Sequence, residues 1–272
     1  MDKVRKMERV AALTKIMADR PRHLFSLSQF SELFGAAKST ICEDITTIKE
    51  TMGHFGLGTI ETVAGAAGGV RLIPSVSAKD ADKLLHNLAG RLAEPDRIIP
   101  GGFLYMSDLL FTPHLMVKVG EIFMERLAHL EPNYILTVET KGIPLAFMTA
   151  RAFDLPLITV RHGSKVTEGS AVSINYVSGS SKRIQTMSLP KRAMPAGARV
   201  LIIDDFMKAG ATARGMVDLA HEVGAKVVGI GVLVSTAEPE HKLVEDYQSL
   251  LILHDVDEHT KVTDIRPVLT SD

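Results

Sequence analysis

At 272 residues the chain has room for two domains of roughly 100–200 residues each, and a hydrophobic content of 46 % excludes a disordered chain. The single cysteine, Cys42, excludes a disulfide framework and a Cys-rich zinc site, and the ten histidines, without HExxH-type spacing, suggest no metal. A net charge of −1 excludes a uniformly basic nucleic-acid binder; with no apolar run near the ~18 residues of a membrane span and a start, MDKVRKMERV, too charged for a signal peptide, a cytoplasmic protein without a membrane partner is expected.

The charge is unevenly spread. Residues 1–24 hold seven Lys or Arg against three acids, a surplus of four that suggests contact with phosphates, although a basic solvated helix face is the plainer alternative. Residues 4–18 place Val4, Met7, Ala11 and Leu13 to Met17 at helical spacing, and Pro21 stops that helix. Ser26 and Gln29 form a capping box for a short second helix with Phe30, Leu33 and Phe34 facing a core, and Gly35 supplies a turn. A third helix is expected from Ala37 to Met52, with Ile41, Ile45, Ile48 and Met52 on one stripe and Cys42 beside them as a small buried hydrophobe.

Short helix, tight turn and a helix opening on Lys38, Ser39 and Thr40 is helix-turn-helix anatomy. In that geometry the second helix enters the major groove and its first residues meet base edges. Glu43 and Asp44 are unusual there; a solvated flank suits at least one of them. The alternating run 59–63, the small-residue tip AGAAGG and the return strand 70–73 read as a wing whose Arg71 reaches DNA. With Lys3, Arg5, Lys6 and Arg9, these residues make a candidate interface for double-stranded DNA; a generic helix-and-hairpin packing module is the alternative. The boundary falls after Pro74, giving domains 1–74 and 75–272.

The second domain starts with an amphipathic helix over 78–93. A loop-like apolar stretch follows, with Phe103, Tyr105 and Phe111 exposed, and then a helix from about His114 to Leu130. Strands at 134–138, 157–160, 199–203 and 226–234 alternate with helices at 142–153 and 212–223, the pattern of an α/β domain with a parallel sheet. Residues 161–189, rich in Ser and Gly but carrying two β-type runs, read as a long hairpin with mobile tips. No element is assigned in 235–272.

The segment RVLIIDDFMKAGATARG, 199–215, carries the chemistry. An apolar strand delivers Asp204 and Asp205 to its carboxyl end, where open α/β sheets bind ligands. The small-residue turn Ala209, Gly210, Ala211 leads into a helix at Thr212, whose free N–H groups suit a phosphate. Carboxylates repel that phosphate and suit the neighbouring ribose hydroxyls, so the segment reads a ribose 5-phosphate. An ordinary βα turn with surface acids is the alternative. A Walker A loop is excluded, because no Gly-Lys-Ser/Thr follows the glycine.

The segment resembles the phosphoribosyl diphosphate (PRPP) motif of type I phosphoribosyltransferases. That resemblance implies that Thr140, Lys141 and Gly142 bind pyrophosphate and that Arg161 and Lys165 cover it. Tyr105, Phe206 and Lys208 join the candidate PRPP residues. The whole chain, through KVTEGSAVSINYVSGSSKRIQTMSL and VLIIDDFMKAGAT, resembles the purine operon repressors of Bacillus-type bacteria: a winged helix fused to a phosphoribosyltransferase-like, mostly parallel-sheet domain. It implies a homodimer that represses purine synthesis genes, leaves its operator when PRPP accumulates, with or without Mg²⁺, and binds guanosine tetraphosphate in competition.

Departures from the catalytic pattern imply a sensor rather than an enzyme. Lys208 and Ala209 stand where catalytic relatives carry small hydroxyl residues, Phe206 replaces a β-branched residue and can stack on a purine, and Ala211 replaces a glycine. At 211 a methyl would cost ~1–2 kcal/mol if φ were positive. An active purine phosphoribosyltransferase with an amino-terminal interaction module is the runner-up. An RNA-binding attenuation protein is disfavoured, because a helix does not fit the deep major groove of A-form RNA.

Overall fold

A computed structural model describes residues 4–65, 67–163, 169–177 and 183–269. The chain divides into two compact units, one running to Ser77 and taking in Arg151–Asp154, the other comprising Ala78–Ala150 and Leu155 onward.

The first unit is a winged helix. α1 (Lys6–Asp19), α2 (Leu27–Phe34) and α3 (Lys38–His54) precede a hairpin of β1 (Thr59–Val63) and β2 (Gly69–Ile73). The capping box forms at α2, with Ser26 Oγ accepting from Gln29 N at 3.2 Å and Gln29 Oε1 accepting from Ser26 N at 2.8 Å. Gly35 ends that helix in the left-handed region. Phe25 adds a short rung to the wing, exchanging hydrogen bonds with Val70 at 2.9 and 2.8 Å. Leu13, Met17, Phe30, the α3 stripe Ile41, Ile45, Ile48 and Met52, and the wing residues Ile60, Val70 and Leu72 make one core.

Some apolar side chains depart from the sequence expectation. Met7 and Leu33 stand in solvent, because the inward stripe of α1 is Arg9, Leu13 and Met17 and that of α2 centres on Phe30. Cys42 is exposed as well. The α3 stripe runs through Ile41, Asp44, Ile45 and Ile48, and the position directly after Ile41 turns about 100° away from it.

The second unit opens with α4 (Ala78–Leu92), whose Ala81, Leu85, Leu88 and Leu92 are buried. A two-stranded ribbon, β3 (Ile98–Ile99) and β4 (Phe103–Leu104), leads to α5 (Ser107–Leu110) and α6 (Pro113–Leu127). Then come β5 (Tyr134–Val138), α7 (Gly142–Phe153), β6 (Leu157–His162), β7 (Ala171–Val177), β8 (Ile184–Pro190), β9 (Arg199–Met207), α8 (Ala211–Glu222), β10 (Lys226–Thr236), β11 (Tyr247–Asp257) and β12 (Val262–Pro267). Eight strands form one sheet in the order β12-β11-β10-β9-β5-β6-β8-β7. The five central strands, β11 to β6, pair in parallel. The three outer pairings, β11–β12, β6–β8 and β8–β7, are antiparallel.

The parallel strands are apolar on both faces, as a sheet covered on both sides requires: Val200 to Ile203 of β9 and Ile135 and Leu136 of β5 are fully buried. The alternation read from sequence reproduces β5 and α7 at their bounds and α8 to within a residue. β11 and β12 lie in the stretch where the sequence assigned nothing. Among the described residues no helix is long and apolar enough to cross a membrane.

Candidate functional site

Chain order and spatial order part company between β5 and β9. After β8 the chain crosses to the far side of β5, so β5 and β9 are neighbours whose following segments lead away from each other. Such a switch point opens a crevice beyond the carboxyl ends of the strands. The loop 139–141 follows β5, and 208–210 follows β9.

β9 carries Asp204 and Asp205 to this crevice, with Asp204 buried to 5 % exposure. Asp204 Oδ1 accepts from Asp205 N at 3.0 Å. The first residue of α7 stands against the same carboxylate: a Cβ on Gly142 would lie 2.6 Å from Thr137 Oγ1 and 2.8 Å from Asp204 Oδ1. Only glycine lets α7 begin so close. At the end of the next loop Gly210 takes φ +82°, and α8 starts at Ala211 with no side-chain cap on its first turn. The left-handed position is therefore Gly210 and not Ala211, so the methyl at 211 carries no φ penalty.

Burial sets the electrostatics. The Asp204 carboxyl is pushed well above the usual carboxylate range, first by burial and then by the charge of Asp205. Burial also raises Asp205, with Lys141 pulling the other way. Two acids in one desolvated place strain to ionise together, and groups that donate hydrogen bonds, such as sugar hydroxyls, relieve that strain.

Two cavities meet at these acids. One, of about 220 Å³, is lined by the loop Lys208–Gly210, the start of α8, Phe206 and Phe103. The other, of about 270 Å³, is lined by Thr140, Lys141, His162, Tyr176, Gln185 and both acids. Asp204, Phe206 and Thr212 border both. The site thus has a helix N-terminus at one end, a lysine at the other, and carboxyls between.

Most of the expected residues that are described come together here; Arg161 and Tyr105 line neither cavity. Arg161, one residue before the end of β6, is held by Glu139 at 3.2 Å, while the same carboxylate accepts from His162 N at 2.7 Å. Tyr105 lines neither cavity; Phe103, two residues earlier on β4, does. Lys165 lies outside the described residues. Sequence reasoning missed Phe103, His162, Tyr176 and Gln185. Tyr176 donates to Gln185 Oε1 at 2.7 Å across the β7–β8 hairpin. The alternation Val172, Ile174, Tyr176 signalled an inward face on β7, which packs against α8.

In the first unit Lys38 and Ser39 open α3 exposed, with Thr40 half-buried beside them. Arg5 and Lys6 are exposed at the start of α1. Arg9 departs from the expected DNA-contacting role: it is buried, and its Nε donates to Asp44 Oδ2 at 2.6 Å. Asp44 is accordingly no solvated flank. Arg71 pairs with Glu61 across the wing at 2.8 Å, and Lys3 lies outside the described residues.

Comparison with known proteins agrees with both units. The family described as bacterial purine repressor, N-terminal, matches residues 5–74, and the phosphoribosyl transferase domain family matches 107–264. The chain is 48 % identical to the purine biosynthesis transcriptional repressor PurR of Bacillus subtilis, over 97 % of this chain and 93 % of that one. It is 35 % identical to the purine biosynthesis transcriptional activator PurR of Lactococcus lactis, over 97 % of each. Among solved structures, adenine phosphoribosyltransferase from Giardia lamblia, complexed with 9-deazaadenine, superposes with a TM-score of 0.55 at 20 % identity, covering 66 % of this chain and all of that one. This last likeness is one of fold.

Proposed function

The chain belongs to the bacterial purine repressor family of DNA-binding transcriptional regulators of purine biosynthesis, and we propose that PRPP, bound between β5 and β9, releases it from DNA. One observation carries the reading: an acid pair lies between two phosphate-suited loops at the switch point of the sheet. A ribose with a phosphate at each end matches that order of groups.

The 5′-phosphate sits on the loop Ala209 to Thr212, where N–H groups of the first helical turn and the helix dipole favour an anion. The ribose hydroxyls donate to Asp204 and Asp205, and Lys141 with Thr140 takes the diphosphate. Mg²⁺, where used, would enter with that diphosphate and offset its charge. Phe206 and Phe103 border the same cavity and offer apolar faces to a purine ring, which supports guanosine tetraphosphate as a competing ligand.

On DNA, Lys38, Ser39 and Thr40 enter the major groove, with Arg5 and Lys6 on phosphates and the wing beside them. A homodimer presents two such units to an operator in the cytoplasm. Repression rather than activation is supported by the higher identity to the relative named a repressor, 48 % against 35 %.

The test is fluorescence polarisation of a labelled duplex from upstream of a purine biosynthesis operon, at fixed salt, with and without PRPP. Tight binding that PRPP weakens is the expected result; indifference to PRPP defeats the effector assignment. The family match over 107–264 favours a second reading, an active phosphoribosyltransferase. Lys208 and Ala209 argue for a site that binds without turning over. Pyrophosphate release from PRPP with xanthine, guanine or hypoxanthine should stay at background, and release above it reinstates the enzyme.

A further inference from the structure

The phosphate loop after β9 is tied to a segment of chain that lines neither cavity of the site. Leu243 N donates to Ala209 O at 2.9 Å. Thr236, at the end of β10, places Oγ1 2.5 Å from Glu238 O and 3.3 Å from Lys208 O. One hydroxyl has one proton, so these two carbonyls share it. Lys242 fixes the arrangement: its Nζ donates to Thr236 O at 2.7 Å and to Thr236 Oγ1 at 3.3 Å. With Oγ1 accepting from the ammonium, its own proton is left for the carbonyls.

Lys242 is half-buried, and burial lowers its pKa against the opposing pull of Glu238. A surface lysine left to itself would extend into water and avoid that cost. This one instead borders a separate cavity of about 390 Å³ beside α8. Val244 completes the tie by packing: a Cβ on Gly210 would lie 3.3 Å from its Cγ2.

We propose that Lys242 is a positioning residue for the effector site, holding the loop Lys208–Gly210 in its phosphate-binding form through Thr236. The carbonyls of Lys208 and Ala209 are both engaged by the segment 236–243. A loop with its carbonyls turned to a fixed support is preorganised, and its order need not be imposed when the anion arrives. The segment therefore sets effector affinity without touching effector. This extends the PRPP reading of the site and rests on it.

The test uses the full chain with Lys242→Met, which keeps the length of the stem and removes the donor, and Thr236→Val, which keeps the shape and removes the hydroxyl. Hydrogen exchange without ligand reads the brace itself. Calorimetry with PRPP reads affinity, and operator polarisation without PRPP reads the rest of the molecule. Lys242→Met should speed exchange across 207–213 and weaken PRPP roughly ten- to hundredfold, the scale of a lost hydrogen bond to a charged group. Thr236→Val should do the same more mildly, and operator affinity without PRPP should hold in both. Unchanged exchange in both variants overturns the brace, and faster exchange with unchanged PRPP affinity overturns its role in binding. If Lys242→Met does not fold, Thr236→Val decides both points. A wild-type protein that ignores PRPP condemns the effector reading, and the exchange data then decide the brace alone.

Discussion

Arg9 and Asp44 form a buried ion pair, Nε to Oδ2 at 2.6 Å, that locks the first helix of the winged unit onto the third. A second guanidinium nitrogen donates to Asp44 Oδ1 at 3.3 Å, and Nη1 donates to Val4 O at 2.7 Å. Asp44 stands on the inward stripe of the helix that opens with Lys38, so the pair fixes how that helix is presented. Arg9→Met leaves a buried carboxylate without its partner and should cost about 3–5 kcal/mol in unfolding of this unit. Arg9→Met with Asp44→Leu should recover most of that loss, because an apolar pair can replace a buried ionic one. Urea denaturation of the two variants decides it. Equal loss in both would mean that the carboxylate is not what the arginine serves.

Lys38 is exposed at the first position of that helix, and its partner is expected to be a DNA phosphate or a guanine edge. Lys38→Ala separates the two. A phosphate contact predicts weaker binding to operator and non-specific duplex alike, with the salt dependence reduced by about one unit of slope. A guanine contact predicts a selective loss of about 1–3 kcal/mol on operator. Unchanged affinity on both duplexes would remove Lys38 from the interface.

Asp204 makes the folded protein sensitive to pH in the direction opposite to a salt-bridged acid. Burial holds its folded pKa well above the usual carboxylate range, whereas unfolded it ionises near ~4. Between those two values the unfolded chain has released a proton that the folded chain still holds, so stability falls as pH rises through that window. Asp204→Asn keeps an oxygen to accept from Asp205 N and removes the charge. It should be more stable than wild type at pH 7.5 by about 0.5–2 kcal/mol, the usual gain from relieving a functional site, with the difference shrinking toward pH 4. Its operator binding should persist while the response to PRPP is lost. A variant less stable than wild type at pH 7.5 contradicts the burial argument.

The particular residues show where sequence reasoning succeeds and where it stops. β5, α7 and α8 were legible because each is an apolar run or stripe bounded by a turn, and the acids at 204 and 205 were legible because a strand end determines where they point. Arg9 was not, because a charged residue inside a basic helix reads as solvated until its partner, 35 positions away, is known. Tyr176 and Phe103 were missed as site residues for the same reason. Phe103 lies on a two-residue strand, too short to leave a periodic signal, and the alternation that turns Tyr176 inward on β7 does not say that this face meets α8 and the acids. β11 escaped because its apolar centre, Leu250 to Leu253, runs into a half-exposed polar end, blurring the alternation.

Gly142 offers the sharpest separation of sensing from folding. A methyl there meets Thr137 Oγ1 at 2.6 Å and Asp204 Oδ1 at 2.8 Å, both closer than real contacts allow. Both atoms end side chains that can turn, so the structure answers by rotating the carboxylate and the hydroxyl, not by moving backbone. Overpacking of this kind costs about 1–3 kcal/mol, a loss that a 272-residue chain can survive. The carboxylate that should accept the ribose hydroxyls is displaced, however, and each hydrogen bond lost to a charged acceptor weakens binding by roughly 1.5–3 kcal/mol. Gly142→Ala should therefore bind operator as wild type does and stay bound at PRPP concentrations that release wild type, shifting the midpoint of release at least about tenfold upward. Polarisation titrations of the two proteins on one duplex measure that midpoint directly. Release of Gly142→Ala at the wild-type midpoint would show that Asp204 does not hold the effector where the geometry puts it.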